Sequence, residues 1–129
     1  GFDAARPFTP VDIMDLADVA AIVLTEDGHD YATYELAGPT LMSFAEMAPL
    51  FAQIVAKPVA AVSAPAGDFV AAALARGLIG PQGGAELKAM LDHYDDHGLV
   101  GNARMLRALL GREPAGLAAV FARDLSPPS

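Results

Sequence analysis

The stretch that most constrains the fold is residues 10–24, PVDIMDLADVAAIVL, which runs from a short β-prone segment directly into an amphipathic helix. Residues 8–13 favour a strand, and because Pro7 and Pro10 cannot donate to a β-ladder, this strand should lie at an edge or begin a sheet. Asp15 stands where a helix N-cap is expected. The apolar positions then recur every three or four residues and predict one buried helix face, made of Leu16, Val19, Ala20, Val23 and Leu24.

The same order of strand and helix recurs along the chain. Residues 31–37 and 59–62 are predicted to be two more strands. Ser43 and Glu46 have the spacing of a capping box, which predicts a helix beginning beside them. Later helices are predicted to end at glycines, namely Gly77, Gly98 and Gly111. The pattern predicts a single α/β domain over residues 1–129, with a small sheet of about three strands covered by about six helices.

The composition argues against several classes of function. No apolar run approaches the ~20 residues of a membrane-spanning helix, and residues 1–6 lack the features of a signal peptide. The absence of cysteine excludes disulfides and thiolate metal sites, and it fits a cytoplasmic protein. With a net charge of −8, the chain has no excess of lysine and arginine to neutralise phosphates. We therefore expect neither a membrane nor a nucleic acid as partner.

The charge is distributed unevenly. Residues 1–97 contain 14 acidic and 4 basic residues, whereas residues 98–129 contain 2 acidic and 4 basic residues. Two interpretations are open at this stage. The acidic residues could form a solvated surface with a mildly basic final quarter, or the basic edge could face an anionic ligand or an acidic partner.

No catalytic and no cofactor-binding residue is predicted for this chain. The glycine-rich residues 77–84 lack the spacing of a dinucleotide-binding turn and follow a predicted helix instead of a strand, so we interpret them as a loop. A short-chain reductase would need a tyrosine four positions before a lysine, but glutamine precedes Lys57 and glycine precedes Lys88 at that spacing. Neither Ser43 nor Ser63 has the flanking glycines of a nucleophile elbow.

Two histidines have the spacing of metal ligands on a helix. His93 and His97 are spaced by one helical turn and could share a metal ion, with Asp92 or Asp96 nearby. A third ligand is not specified, and no glutamate stands beside His93 to act as a base. The alternative is a pair of solvated imidazoles near a helix C-terminus, where the helix dipole favours them. We therefore predict no metal site.

Several segments together resemble the C-terminal part of NmrA-like proteins, which are atypical relatives of the extended short-chain dehydrogenases. Examples are PVDIMDLADVA at residues 10–20 and YELAGP at residues 34–39. The segments keep the family's order and cover nearly the whole chain. The others are residues 25–29, 43–47, 65–77, 94–99 and 110–114.

The resemblance implies a parent protein of about twice this length, whose N-terminal Rossmann half is missing here. NAD(P) is implied as a cofactor for that parent and not for these residues. Residues 8–13 would pair with residues 59–62 in a partly parallel sheet, and residues 31–37 would belong to the edge of the missing sheet. The chain would then be the substrate- or partner-binding C-terminal lobe of a Rossmann-type protein, without catalysis of its own.

Three functions stay open. The chain could be the substrate-binding lobe of an NAD(P)H-dependent oxidoreductase such as a quinone-type reductase. It could instead be a non-enzymatic, redox-sensing module that binds a protein partner, or a standalone protein that binds a small apolar molecule. A pocket is expected between the end of the strand at residues 8–13 and the helix at residues 87–97. Its candidate residues are Met14, Met90, Tyr94 and His97.

We expect the chain to self-associate through residues 31–37. An apolar strand from Tyr31 to Ala37 that has lost its neighbour would leave backbone groups free to pair. Its partner would be the missing Rossmann half or another copy of this chain. Light scattering at increasing concentration should then show a species heavier than 13.3 kDa. A monomer at high concentration would contradict this prediction.

Overall fold

The computed structural model describes residues 3–125, in which two very short strands and six helices follow one another. The strands are β1 (Pro7–Phe8) and β2 (Met42–Ser43). The helices are α1 (Ile13–Thr25), α2 (Phe44–Val55), α3 (Ala66–Ala75), α4 (Pro81–His97), α5 (Arg104–Leu110) and α6 (Leu117–Leu125). An α/β chain with six helices is confirmed, whereas the predicted three-stranded, partly parallel sheet is not found in the described residues.

The sheet is a two-stranded antiparallel ribbon. Its register pairs Pro7 with Ser43 and Phe8 with Met42. Phe8 also forms a single parallel bridge with Leu99, in the connection between α4 and α5. Phe8 in β1 is therefore already paired with Met42 of β2 and with Leu99, and residues 59–62 do not pair with β1. The predicted strand at residues 59–62 and its pairing with residues 8–13 are wrong.

Residues 31–37 are not a strand either, contrary to the prediction. Tyr31 has a φ of 60°, in the left-handed region, which an extended strand does not contain. The segment that follows is held by close packing, because a Cβ at Gly38 would lie 1.6 Å from the carbonyl oxygen of Pro10. On the other side, a Cβ at Gly101 would lie 2.6 Å from the Cβ of Ala37. Self-association through this segment stays a prediction.

The helices pack in three pairs, α1 with α5, α2 with α6 and α3 with α4. Val19 of α1 and Leu106 of α5 are buried. Between α3 and α4 an apolar cluster forms from Ala66, Val70 and Leu91, with Ile79 and Leu87 packed against it. In the part of the chain that the structure describes, no helix is both long enough and apolar enough to cross a membrane.

The first turn of α1 differs from the prediction. Asp12, and not Asp15, is the N-cap, and its carboxylate accepts a hydrogen bond of 3.2 Å from the backbone N–H of Met14. Asp15 is buried inside the helix, where it accepts a hydrogen bond of 2.7 Å from the backbone N–H of Ala115. Of the predicted buried face of α1, Val19 is buried, whereas Leu24 is 83% exposed.

Two arginines near the C-terminus bind these aspartates, and we call the set of contacts the aspartate–arginine clamp. Both terminal nitrogens of Arg123 donate to Asp12, at 2.7 and 2.9 Å. Arg112 reaches Asp15 at 2.7 Å and Asp18 at 2.6 Å. Because Asp12 and Asp15 are buried, their charges require such partners. Much of the basic edge of the final quarter is therefore used within the chain.

Replacing Gly38 by alanine should destabilise the protein by about 2–4 kcal/mol, because the added methyl group would overlap the backbone of Pro10. Gly67 in α3 is a matched control, since a Cβ there meets no heavy atom within 4 Å. Gly67→Ala should be neutral or stabilising, by up to about 1 kcal/mol from helix propensity. Denaturant unfolding of both variants checks this, and equal midpoints would contradict it.

The clamp can be tested with Arg123→Gln. We expect the free energy of unfolding to fall by about 1–3 kcal/mol, because the change leaves the buried Asp12 carboxylate without its bidentate partner. Arg76→Gln removes the same charge from an exposed arginine at the end of α3, and it should change stability by less than about 0.5 kcal/mol. Equal losses in the two variants would show that the clamp has no special role.

The clamp also predicts that the stability of the wild type and that of Arg123→Gln depend differently on pH in the acidic range. The hydrogen bonds from Arg123 lower the pKa of Asp12 below its usual value. The stabilisation is therefore present above about pH 4, the pKa of an unfolded aspartate, and is lost as the pH falls through the lower folded pKa. Between pH 5 and pH 3, the free energy of unfolding of the wild type should fall more steeply than that of Arg123→Gln. Parallel curves would contradict the assignment.

Candidate functional site

An apolar cavity lies between α2, α6 and the extended residues 59–64, and we call it the main cavity. Its volume is about 390 Å³, and it is open to solvent on one side. The lining is almost entirely apolar. It consists of Phe44, Met47, Ala48, Phe51, Val59, Ala60, Ala61, Val62, Ala64 and Phe121.

The wall from α2 follows from local sequence. The predicted capping box is present, since Ser43 Oγ accepts a hydrogen bond from the N–H of Glu46 and Glu46 Oε2 accepts one from the N–H of Ser43. The cap starts the helix at Phe44. From there, spacings of three and four residues place Phe44, Met47 and Phe51 on one helix face. The hydrogen bonds that the Ser43 backbone and hydroxyl donate lower the pKa of Glu46, so the cap is charged at neutral pH.

The opposite walls depend on contacts between distant parts of the chain. The ring of Phe121 in α6 packs edge-on against Phe51, with centroids 5.4 Å apart and an interplanar angle of 87°. The clamp fixes this end of α6, because Arg123 lies two residues beyond Phe121. Residues 59–64 are anchored near their end by Ser63, whose Oγ accepts a hydrogen bond of 2.8 Å from the N–H of Ala4.

The main cavity contains no residue that could act as a general acid or base. None of the residues that line it has an ionisable side chain. Its three aromatic rings offer faces and edges on which a flat ring could stack. The arrangement therefore suits a neutral apolar or aromatic ligand.

A smaller cavity of about 150 Å³ lies beside the main one and shares Phe44 with it. Phe44 tilts against Phe8 of β1, with ring centroids 4.7 Å apart. The other wall residues come from the chain start, from α4 and from the connection that follows α4. They are Arg6, Pro7, Tyr94 and Leu99.

The structure separates the four predicted pocket residues. Tyr94 lines the smaller cavity, between β1 and α4. Met14 on α1 and Met90 on α4 are 53% and 43% exposed, and His97 is exposed at the end of α4. Of the four, only Tyr94 contributes to a described cavity, and ligand binding by any of them stays a prediction.

The histidine pair lies where the spacing predicts, with the rings of His93 and His97 4.5 Å apart. Within residues 3–125, no group of three or more possible metal ligands comes together. Asp92, which was considered as a further ligand, instead forms an ion pair of 2.6 Å with Lys88.

The glycine-rich residues 77–84 have a packing role. Residues 81–84, predicted to be part of a loop, form the first turn of α4. A Cβ at Gly84 would lie 3.2 Å from the side chain of Leu74, so this glycine lets α4 approach α3 closely. No strand leads into the segment, so residues 77–84 do not form the strand–turn–helix unit of a Rossmann phosphate site.

The main cavity was not predicted from the sequence. The helical face carrying Phe44, Met47 and Phe51 was visible as an amphipathic pattern, but the pattern predicts only burial. Its partners, residues 59–62 and Phe121, lie elsewhere in the chain, and their approach depends on tertiary contacts. The one sequence feature that could have indicated a cavity is the number of large aromatic side chains on this face of α2.

Comparison with solved structures places the same fold in larger reductases. A new type of NADPH-dependent quinone oxidoreductase from Escherichia coli is 25% identical, with a TM-score of 0.75, over 98% of this chain and 46% of that chain. A triphenylmethane reductase from Citrobacter sp., complexed with NADP(H), is 22% identical, with a TM-score of 0.73, over 92% of this chain and 41% of that chain. The chain thus spans less than half the length of these proteins. No protein-family model and no curated protein matches it.

Proposed function

We propose that this chain is the acceptor-binding part of an NADPH-dependent reductase, and that a quinone or a similar flat aromatic acceptor lies in the main cavity. The observation that carries the proposal is an aromatic cavity of about 390 Å³ on a fold shared with a quinone oxidoreductase. The resemblance of the sequence to NmrA-like proteins supports the same function.

The shape and chemistry of the main cavity favour this class of ligand. Its volume lies within the range of about 300–1,000 Å³ that is usual for small-molecule sites. Phe44, Phe51 and Phe121 offer aromatic contacts to a planar ring, and each such contact is worth about 0.5–1.5 kcal/mol beyond burial. A neutral quinone introduces no charge that the apolar wall would have to desolvate.

The chain's own contribution is to bind and orient the acceptor and to exclude water from one of its faces. When bound, NADPH supplies the hydride in such a reductase. Because residues 77–84 lack the preceding strand of a Rossmann phosphate site, we propose that the phosphates of NADPH are held by residues outside this chain, in a Rossmann half. The chain alone should therefore bind acceptor without reducing it.

Binding of 1,4-naphthoquinone to residues 1–129 tests the proposal. Saturation-transfer NMR or calorimetry should detect the complex, while absorbance at 340 nm should show no oxidation of NADPH. Phe51→Leu should weaken binding about threefold to tenfold, because it removes the ring that packs against Phe121.

Phe69→Leu is the matched control for this experiment. Phe69 is a 55% exposed phenylalanine on α3 that lines neither cavity, so its loss should leave quinone affinity unchanged. Absence of binding, or equal weakening by both substitutions in folded variants, would overturn the proposal. NADPH oxidation that depends on quinone would show that this chain carries catalytic parts of its own.

A further inference from the structure

Residues 59–62 form an extended surface segment that has the properties of an edge strand. Within residues 3–125, none of their backbone N–H or C=O groups forms a hydrogen bond with another group of the chain. Val59 and Val62 are 36% and 82% exposed, so the segment lies at the surface. Because β-branched residues favour strands and the backbone groups are free, the segment is able to pair with a strand from another chain.

The charges around this segment differ from those of the chain as a whole, which has a net charge of −8. No aspartate or glutamate occurs between residues 56 and 67. Lys57, just before the segment, is exposed and forms no ion pair within residues 3–125. At the other end a carboxylate is close, because Oδ1 of Asp3 lies 3.4 Å from Oγ of Ser63. One end of the segment is therefore positive and the other is negative.

We propose that two copies of this chain pair antiparallel through residues 59–62 and form a dimer with twofold symmetry. Antiparallel pairing places the Lys57 end of one copy beside the Ser63 end of the other, where Asp3 lies. The symmetry repeats this contact between opposite charges, whereas parallel pairing would bring the two lysines together. The charges at the two ends thus favour a second copy of the chain and the antiparallel direction.

The twofold symmetry restricts the register of this pairing. In an antiparallel ladder around a twofold axis, one residue lies opposite its own copy. With Ala60 on the axis, Lys57 of one copy lies directly opposite Ser63 of the other copy, next to Asp3. This register therefore brings the two opposite charges close together.

The same register accommodates Pro58, which has no N–H to donate. Residue pairs in an antiparallel ladder alternate between those with and those without hydrogen bonds. When Pro58 belongs to a pair without hydrogen bonds, Ala60 on the axis does so too, and Val59 forms hydrogen bonds with Ala61 of the second copy. The N–H of Ala61 is thus a donor in the ladder, whereas the N–H of Ala60 points away from it.

The dimer also stabilises the main cavity, because residues 59–62 form one of its walls. In the dimer this wall is held by hydrogen bonds that residues 3–125 of a single chain do not supply. The ladder is short, so we expect reversible association with a dissociation constant on the order of 10–100 μM.

Sedimentation equilibrium of residues 1–129, at concentrations below and above this value, tests the proposal. It should show reversible association to twice the monomer mass of 13.3 kDa. Ala61→Pro removes one ladder donor from each copy and should raise the dissociation constant about tenfold or more. Ala60→Pro is the matched control, because the N–H that it removes lies outside the ladder, and it should raise the constant less than about twofold.

The charge contact is tested with Lys57→Glu, which places two carboxylates next to each other across the axis. It should raise the dissociation constant about threefold to tenfold. Arg76→Glu changes the net charge equally, at an exposed residue at the end of α3, and controls for general repulsion between copies.

A monomer at the highest concentration would overturn the proposal. A dimer that neither Ala61→Pro nor Lys57→Glu weakens would overturn it too, because the contact would then lie elsewhere, for example at residues 31–37. Equal weakening by a variant and its control, in either pair, would contradict the proposed ladder. Should Ala61→Pro not fold, Lys57→Glu and its control still decide.

Discussion

The aspartate–arginine clamp is the interaction on which the rest of the structure depends. Two buried carboxylates at the start of α1 would be costly alone, and arginines about a hundred residues later neutralise them. The clamp joins the beginning of the chain to α6. Since α6 carries Phe121, the same ion pairs define one wall of the main cavity. Part of the charge asymmetry of the sequence is thus used inside the chain, where Arg112 and Arg123 pair with three aspartates of its first part.

Helix starts and helix ends were predicted well, because the interactions that determine them involve residues only a few positions apart. The capping box of Ser43 and Glu46 has its predicted geometry, and Gly98 and Gly111 end their helices with positive φ. In each case the sequence contains both partners of the interaction or the one residue type that tolerates the backbone conformation. The number of helices follows from such signals.

Features that depend on distant contacts were not predicted. Asp15 was predicted to be the helix N-cap, because nothing near it in sequence reveals that Arg112 would reach it. Residues 59–62 look β-prone, but Phe8 already has Met42 on one side and Leu99 on the other. Their apolar side chains line the main cavity instead. The sequence shows that these residues are apolar, but the tertiary structure decides which side chains they face.

The wall of the main cavity is chemically uniform. Its wall consists of hydrocarbon groups, three aromatic rings and one thioether, with no thiol, amine or imidazole among them. Such nucleophiles add to electron-poor rings such as quinones and become covalently attached to them, and the chain as a whole contains no cysteine. A quinone acceptor of the kind proposed would therefore meet no nucleophilic side chain in this wall that could bind it covalently.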